Sequence, residues 1–540
     1  MLEEISSIFI TLPQVRLTVF YHSPTKVIPA PTATSDLHQL LAPIGDAAYT
    51  SRAPVAACLQ GTREGVISEI VRCIKGSDRP ICWVSGSAGS GKSAISQTIA
   101  KRYDDKGRLL ASFFFLRGAG DRSVIARLIP TLAYQLSHSI PATEPLIREA
   151  LRKPDLMRQS LGHQFKKLLI EPMLAVRNTV IARLAGTKPA VMVIDALDEC
   201  DNRDLMAYFI EMVIGAFKEN HRFPFRFVFT SRVEEHIRQK LETPTARSVV
   251  HRLSLDRFHA RLDLQRFLRA HFSTIYEENL RVMQNVPLPW PSEQDLNALV
   301  NKSNGLFIFA TTLMNFFHDG SGLPQEKLHI ILGVEAGLDS LYMQVLSNAA
   351  HDHNFERVIG TVVLLREPLS ITFLGQLLQL QAEHIVHSLL GTQSILMVPE
   401  DDDQTIQPFH TSLADFLKVK SRSVEFFIDP PRCHLSIMTD CLAAMMVCPT
   451  DSIFYKGGQL YACVNWCYHG LQSFVEGREE DVVNVLAMAS VMHYLENLTS
   501  SLLDLWVNTL LHEGWKQTWD DFTSLLTRLQ VCPMCESSGV

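Results

Sequence analysis

The residues Gly86-Ser87-Ala88-Gly89-Ser90-Gly91-Lys92-Ser93 satisfy the pattern G-x-x-x-x-G-K-[ST] at every fixed position. Glycines at 86, 89 and 91 let the backbone turn tightly enough for several N–H groups to converge on one phosphate, at the positive end of a helix that starts with Ala94. Lys92 has the reach for the β- and γ-phosphates of a nucleoside triphosphate, and the Ser93 hydroxyl suits a Mg²⁺ ligand. The chemistry of Gly86 to Ala94 is therefore nucleotide binding.

A second constellation follows about a hundred residues later. Val191-Met192-Val193-Ile194-Asp195-Ala196-Leu197-Asp198-Glu199 is an apolar run ending in acids. Carboxylates at the carboxyl end of a buried parallel strand open into the crevice that the phosphate loop also faces. Asp195 is placed to hold Mg²⁺ through water, Glu199 to take the proton of an attacking water, and Asp198 to share either task. Taken alone, the same residues make a solvated acidic turn after a core strand. Phe227-Val228-Phe229-Thr230-Ser231-Arg232 repeats the arrangement with a cationic tip. Arg232 can sense a γ-phosphate by a bidentate contact; pairing with a surface carboxylate such as Glu234 is the plainer use of it.

The elements that must position these groups alternate short apolar runs with helical stretches between about residues 58 and 254. The strand candidates are Ile81–Ser85, Leu110–Leu116, Val191–Ile194, Arg226–Ser231 and His251–Ser254. That alternation is the mark of a parallel α/β sheet. Beyond residue 255 apolar residues recur at helical spacing, as in Leu262, Leu264, Phe267, Leu268 and Phe272. Breaks fall at Pro287–Ser292, at Gly320–Pro324 and at the acidic Glu400–Asp403. The last lies between apolar Ile395–Val398 and Thr405-Ile406, a pattern of a β-wing hairpin in a winged-helix module over 345–420. Pro29-Ala30-Pro31-Thr32-Ala33-Thr34 reads as a linker. No repeat of solenoid length is visible.

At 540 residues the chain has length for several cores. A net charge of −7 gives no global basic field, so no nucleic-acid role is expected. The start Met1-Leu2-Glu3-Glu4 lacks the basic residues of a secretory signal, and no apolar run reaches the roughly 18 residues of a membrane span. Eleven cysteines, an odd number spread along the chain, fit reduced thiols and a cytoplasmic location. Cys532-Pro533-Met534-Cys535 has metal-knuckle spacing without a second pair.

The loop Gly86–Ser93, the cluster Ile194–Glu199 and the tip Thr230-Ser231-Arg232 together resemble the NACHT class of STAND nucleotide-binding proteins, relatives of the NOD-like receptors, and in particular the large fungal NACHT set. Cys58-Leu59-Gln60-Gly61-Thr62-Arg63, Ala111–Phe115, Thr131–Leu136, Gly305–Thr311, the stretch from His410 to Leu417 and Tyr461-Ala462-Cys463 extend the resemblance over roughly residues 40–475.

The resemblance implies an α/β P-loop NTPase domain, a parallel sheet flanked by helices, followed by helical, winged-helix and further helical domains. Its boundaries would be 1–55 for an N-terminal segment or linker, 56–255 for the NACHT domain, 256–335 helical, 336–425 winged-helix-like and 426–540 a helical arm. It implies ATP/ADP and Mg²⁺ as ligands. Thr62 and Arg63 would line the base side of the pocket, and His410 would touch the β-phosphate of ADP; on bare sequence a lone His before a helix, as His410 is, is more often a cap or core residue. The Gly-x-Pro element of many relatives is replaced by Gly305-Leu306-Phe307. The implied activity is a signalling switch that hydrolyses ATP slowly, at about 10⁻⁴ to 10⁻² per second, and self-associates on activation; its protein partners are not named by the sequence. A turnover ATPase of the AAA+ type and a nucleotide-stabilised scaffold are the alternative classes.

Overall fold

The computed structural model describes residues 37–51, 57–76, 79–153, 155–178, 189–219, 223, 225–319, 322–349, 352–447, 455–474, 493–495, 497–498, 503–513 and 516–531. Pro29–Thr34 and Cys532–Cys535 lie outside them. The described residues up to Ser347, with His410–Ser412, form one compact unit; those from Asn348 to Phe409 and from Leu413 onward form another.

In the first unit five parallel strands, β1 (Ile81–Ser85), β2 (Leu109–Phe114), β3 (Ala190–Asp195), β4 (Phe225–Ser231) and β5 (Val250–Ser254), line up in the order β2-β3-β4-β1-β5. Parallel strands are covered on both faces, so their residues alternate between two cores rather than between core and water. Ile81, Trp83, Met192, Ile194, Phe227 and Phe229 point into one core, while Cys82, Val84, Val191, Val193 and Val228 point into the other. Helices α1 (Glu64–Gly76), α2 (Lys92–Asp104), α3 (Leu128–Ser139) and α4 (Arg203–Glu219) supply the covering layers.

The register decides where the chemistry ends up. Ser85 pairs with Ser231 and with Ser254, Phe114 with Asp195, and Ile194 with Phe229. The tips of β1, β3 and β4 therefore reach one edge together. All five strand expectations hold, Ile81–Ser85 unchanged and the other four with ends moved by one or two residues, because strand ends are set by neighbours rather than by the run itself.

After the sheet the unit continues with α5 (Arg261–Glu278), a helix at Glu293–Lys302 and α6 (Phe307–Phe317). Phe272, Trp290 and Phe317 interlock edge-to-face at centroid distances of 5.1 to 6.1 Å.

The second unit is mostly helical, with an antiparallel two-stranded ribbon, β6 (Leu396–Met397) and β7 (Gln407–Pro408). The hairpin sits where the acidic break suggested one, its return strand two residues later. Its long helices are α7 (Pro430–Met446) and α8 (Gly457–Ser473). Gly458 allows α8 to approach a neighbouring helix: a Cβ there would lie 2.2 Å from the Phe373 carbonyl oxygen. Among the described residues no helix is long and apolar enough to cross a membrane, no group of three or more His, Cys, Asp or Glu gathers as a metal cage, and the eight cysteines form no disulfide.

Candidate nucleotide-binding site

The site is built at the edge where β1, β3 and β4 end. After Ser85 the chain turns through a loop in which Gly89 (φ 70°) and Gly91 (φ 91°) take left-handed conformations that L side chains resist. Gly91 then serves as the N-cap of α2. The Ser90 hydroxyl donates to the Ser87 carbonyl at 2.8 Å, and the Gly86 amide to the Ser231 carbonyl at 3.3 Å, which ties loop to β4.

Lys92 curls back over this loop, donating to the carbonyls of Gly86 at 3.0 Å and Ser87 at 2.8 Å. Its ammonium is buried, and burial lowers its pKa while Asp198 and Asp195 push it back up. A cation placed so, among acids and over an anion-shaped loop, fits a polyphosphate.

Asp195 sits buried at the tip of β3, its Oδ1 accepting from Thr230 Oγ1 at 2.5 Å and from Ser96 Oγ at 2.7 Å. Ser96 lies one helical turn beyond Lys92, so α2 and β4 both orient the carboxylate. The next residue, Ala196, is held at φ 56° and gives its N–H to Thr230 Oγ1 at 2.9 Å. A left-handed alanine is strained, and the hydrogen bond from its own amide helps to hold it there.

Asp198 is committed to Arg232. Its Oδ1 accepts the Arg232 amide at 2.9 Å, and its Oδ2 lies 3.2 Å from the Arg232 Nε. The surface partner considered for Arg232, Glu234, instead lies near Arg117 at 3.8 Å and Arg203 at 3.7 Å. Glu199 accepts the Arg117 amide on Oε2 at 3.3 Å and the Thr411 hydroxyl on Oε1 at 3.2 Å. Burial, with Asp198 next, raises its pKa to about 7, the range of a working general base.

Thr62 and Arg63 lie on the other flank. Arg63 is buried, sits at φ 56°, and donates from Nη2 to the Ser90 carbonyl at 2.7 Å. Its guanidinium stacks 4.7 Å from the Phe307 ring centroid, while Nε and Nη1 find no hydrogen-bond partner. Thr62 is turned inward, its hydroxyl on the Leu59 carbonyl at 2.7 Å. Phe307 and Ile308 close over the loop: the Ile308 amide bonds the Gly89 carbonyl at 3.1 Å.

His410 belongs to the same compact unit. Its Nδ1 accepts the Ser412 amide at 3.0 Å and lies 2.7 Å from the Ser412 hydroxyl, so the ring proton sits on Nε2. Ser412 in turn meets the Tyr342 hydroxyl at 2.9 Å.

The structure thus gathers Lys92, Asp195, Asp198, Glu199 and Arg232 at one edge, with Arg63 bonded to the same loop. The donor set fits a nucleotide with Mg²⁺. The loop presents backbone N–H groups, Lys92 a buried cation, Ser93 an oxygen next to Lys92, and Asp195 a buried carboxylate already aimed by two hydroxyls.

A family model described as Nephrocystin 3, N-terminal, matches residues 66–232, from α1 through the phosphate loop to Arg232. The vegetative incompatibility protein HET-E-1 of Podospora anserina is 24% identical over 377 residues, 65% of this chain and 24% of that protein. The chain is similar to the NACHT-type STAND proteins.

The chain spans about a quarter of the length of HET-E-1, 24%. Two solved structures are similar to the chain at low TM-score. A STAND protein with a tetratricopeptide repeat sensor from Pyrococcus horikoshii is 13% identical with a TM-score of 0.42, over 89% of this chain and 60% of that one. Cdc6p from Pyrobaculum aerophilum is 12% identical with a TM-score of 0.31, over 72% and 97%.

Three residues of the site escaped the sequence reading. Ser96 carries a signal, its i+4 spacing from Lys92 on one helix face. Arg117, in the loop after β2, carries none. Thr411 lies inside the stretch that begins at His410, but nothing in its type marks it.

Proposed function

We propose that this protein is a nucleotide-dependent switch that binds ATP and ADP with Mg²⁺ and hydrolyses ATP slowly. The observation that carries this reading is the placement of Lys92, over its own loop carbonyls and in the field of Asp198, Asp195 and Glu199. Phosphates arriving in the loop would take the Lys92 donors from Gly86 and Ser87. Ser93 and Asp195 would hold the Mg²⁺, which supplies neutralisation of phosphate charge.

The chain's own groups then divide the work. Glu199, with a pKa near 7, accepts a proton from water at neutral pH. Arg232, whose amide and Nε both meet Asp198, offers a guanidinium braced at its inner nitrogen. Arg63 holds the Ser90 carbonyl and keeps two N–H donors for the base side of the nucleotide.

His410 supports the switch half of the reading. A contact with the ADP β-phosphate would be made through Nε2–H, since Nδ1 is occupied by Ser412. Exchange of ADP for ATP would then release that contact and permit self-association, because a ligand shifts an equilibrium only by its differential affinity for the two states. HET-E-1, named for vegetative incompatibility, lends support to a signalling role.

The test is to purify the chain without added nucleotide, denature it and identify the released ligand by chromatography. Near-stoichiometric ADP supports the closed switch. An empty protein that turns ATP over rapidly supports an ordinary ATPase, and an empty one without turnover a scaffold.

A further inference from the structure

Glu199 and Arg232, the two groups assigned to the γ-phosphate chemistry, meet on one hydroxyl. Thr411 Oγ1 donates to Glu199 Oε1 at 3.2 Å and accepts from Arg232 Nη2 at 3.2 Å. All three residues belong to the same compact unit. A threonine hydroxyl has one proton to give and lone pairs to receive, and this one spends both on functional groups.

The rest of the Glu199 carboxylate is also spoken for. Its Oε2 accepts the Arg117 amide at 3.3 Å, so each oxygen is aimed at a protein donor. Arg232 is held by Asp198 and by Thr411. A general base must come within about 2.6 to 3.2 Å of the proton it removes. A hydrogen bond donated to a carboxylate stabilises its charged form and weakens it as a base, so with Thr411 and Arg117 on it Glu199 is both aimed at protein donors and less ready to take a proton from water. Both hydrogen bonds to Glu199 are long for their type, which makes them releasable.

We propose that Thr411 is a positioning residue that latches Glu199 and Arg232 together in a resting arrangement and so restrains ATP hydrolysis. The inference rests on the reading of this site as a hydrolytic nucleotide switch. It adds a residue that acts through the others and touches no phosphate itself.

The test uses the full chain and three variants at Thr411, with Glu199→Gln and Lys92→Ala as references. Thr411→Val keeps shape and removes the hydroxyl; Thr411→Ser keeps the hydroxyl. Steady-state ATP hydrolysis is measured for the parent and for both, with Thr411→Val in a Glu199→Gln background as the third. The expected result is a kcat about tenfold above the parent in Thr411→Val, the size of releasing a hydrogen bond to a charged group. The KM for ATP is expected to be unchanged, Thr411→Ser to behave as the parent, and the double variant to fall to the level of Glu199→Gln.

Hydrolysis that depends on Lys92 but is indifferent to Thr411→Val overturns the latch and leaves the site reading intact. A gain that Thr411→Ser shares, or that survives Glu199→Gln, also overturns it. If neither the parent nor Thr411→Val shows hydrolysis that Lys92→Ala abolishes, the site reading fails and the latch with it.

Discussion

The Ile308 backbone N–H donates to the Gly89 carbonyl at 3.1 Å, stitching the first turn of α6 onto the phosphate loop. The contact is tight enough that a side chain at 89 has no room. A Cβ there would fall 2.0 Å from Ile308 Cγ2, and φ at 89 is 70°.

Gly89→Ala is therefore expected to destabilise the unit twice over, by about 1 to 2 kcal/mol for the left-handed conformation and about 1 to 3 kcal/mol for overpacking. Ile308→Ala in the same chain removes the Cγ2 contact but leaves its own Cβ 2.7 Å from the added methyl, so it relieves only some of the second part. Thermal denaturation of both variants checks this; equal losses with and without Ile308 would mean that α6 does not rest on the loop.

Lys92→Ala removes the buried ammonium that curls over the loop. Nucleotide affinity is expected to fall by on the order of a hundredfold, the ~3 kcal/mol of a charge-assisted contact. Titration calorimetry with Mg-ADP reads it directly, and retained parental affinity would displace the binding site from this loop.

Much of this was legible in the chain because the loop and the sheet are local codes. Four fixed positions from Gly86 to Ser93 demand one backbone path, and five apolar runs have no stable use except as buried strands. Asp195 and Glu199 followed from lying beyond the end of such a run. What stayed hidden is pairing across distance. Asp198 looked like a metal or base candidate, yet it is spent on Arg232, a partner set by the β3–β4 register and not by spacing. Thr411 reaches Glu199 from 212 residues away, and no local pattern encodes that. Arg63 was placed by resemblance alone, and its stacking on Phe307 needs the fold to be seen.

Glu199→Gln keeps the shape of the carboxylate and removes its basicity. Nucleotide binding is expected to persist while kcat falls by about a hundredfold, the lower range of general-base effects. Glu199 has its pKa raised to about 7 by burial and by Asp198, so it is protonated below that pH and competent above it. The parent's kcat should then rise through about pH 7 and level off above it, and the variant should lose that limb. An unchanged rate in Glu199→Gln would assign the base elsewhere.

His410→Ala tests the switch rather than the loop. Slower retention is expected for ADP, with ATP affinity within a few-fold of the parent, since the proposed contact exists in one state only. Off-rates of labelled nucleotides measure the difference. Equal losses for both nucleotides would argue that the Ser412-bound imidazole serves packing alone.

The second unit makes an independent prediction about acid. The Arg366 amide donates to the Tyr461 hydroxyl at 3.0 Å, so the Tyr461 proton goes to His469 Nε2, 2.7 Å away. His469 must then carry its proton on Nδ1 and give it to His434 Nδ1 at 2.8 Å. The order of donors leaves both imidazoles neutral, between α7 and α8. Burial, with Lys418 next, lowers the His434 pKa from 6.5 to about 4, and burial lowers His469 as well. Between those two values the unfolded chain binds the proton and the folded one does not, so stability rises with pH across the window and is lost as pH falls through it. A shift of this size is worth about 3 kcal/mol. Denaturation followed by tryptophan fluorescence should show a marked loss between about pH 7 and about pH 5. His434→Leu should start less stable at neutral pH, with His469 Nδ1–H unpaired, but should show a flatter slope. An unaltered slope in that variant would place the acid-sensitive group outside this pair.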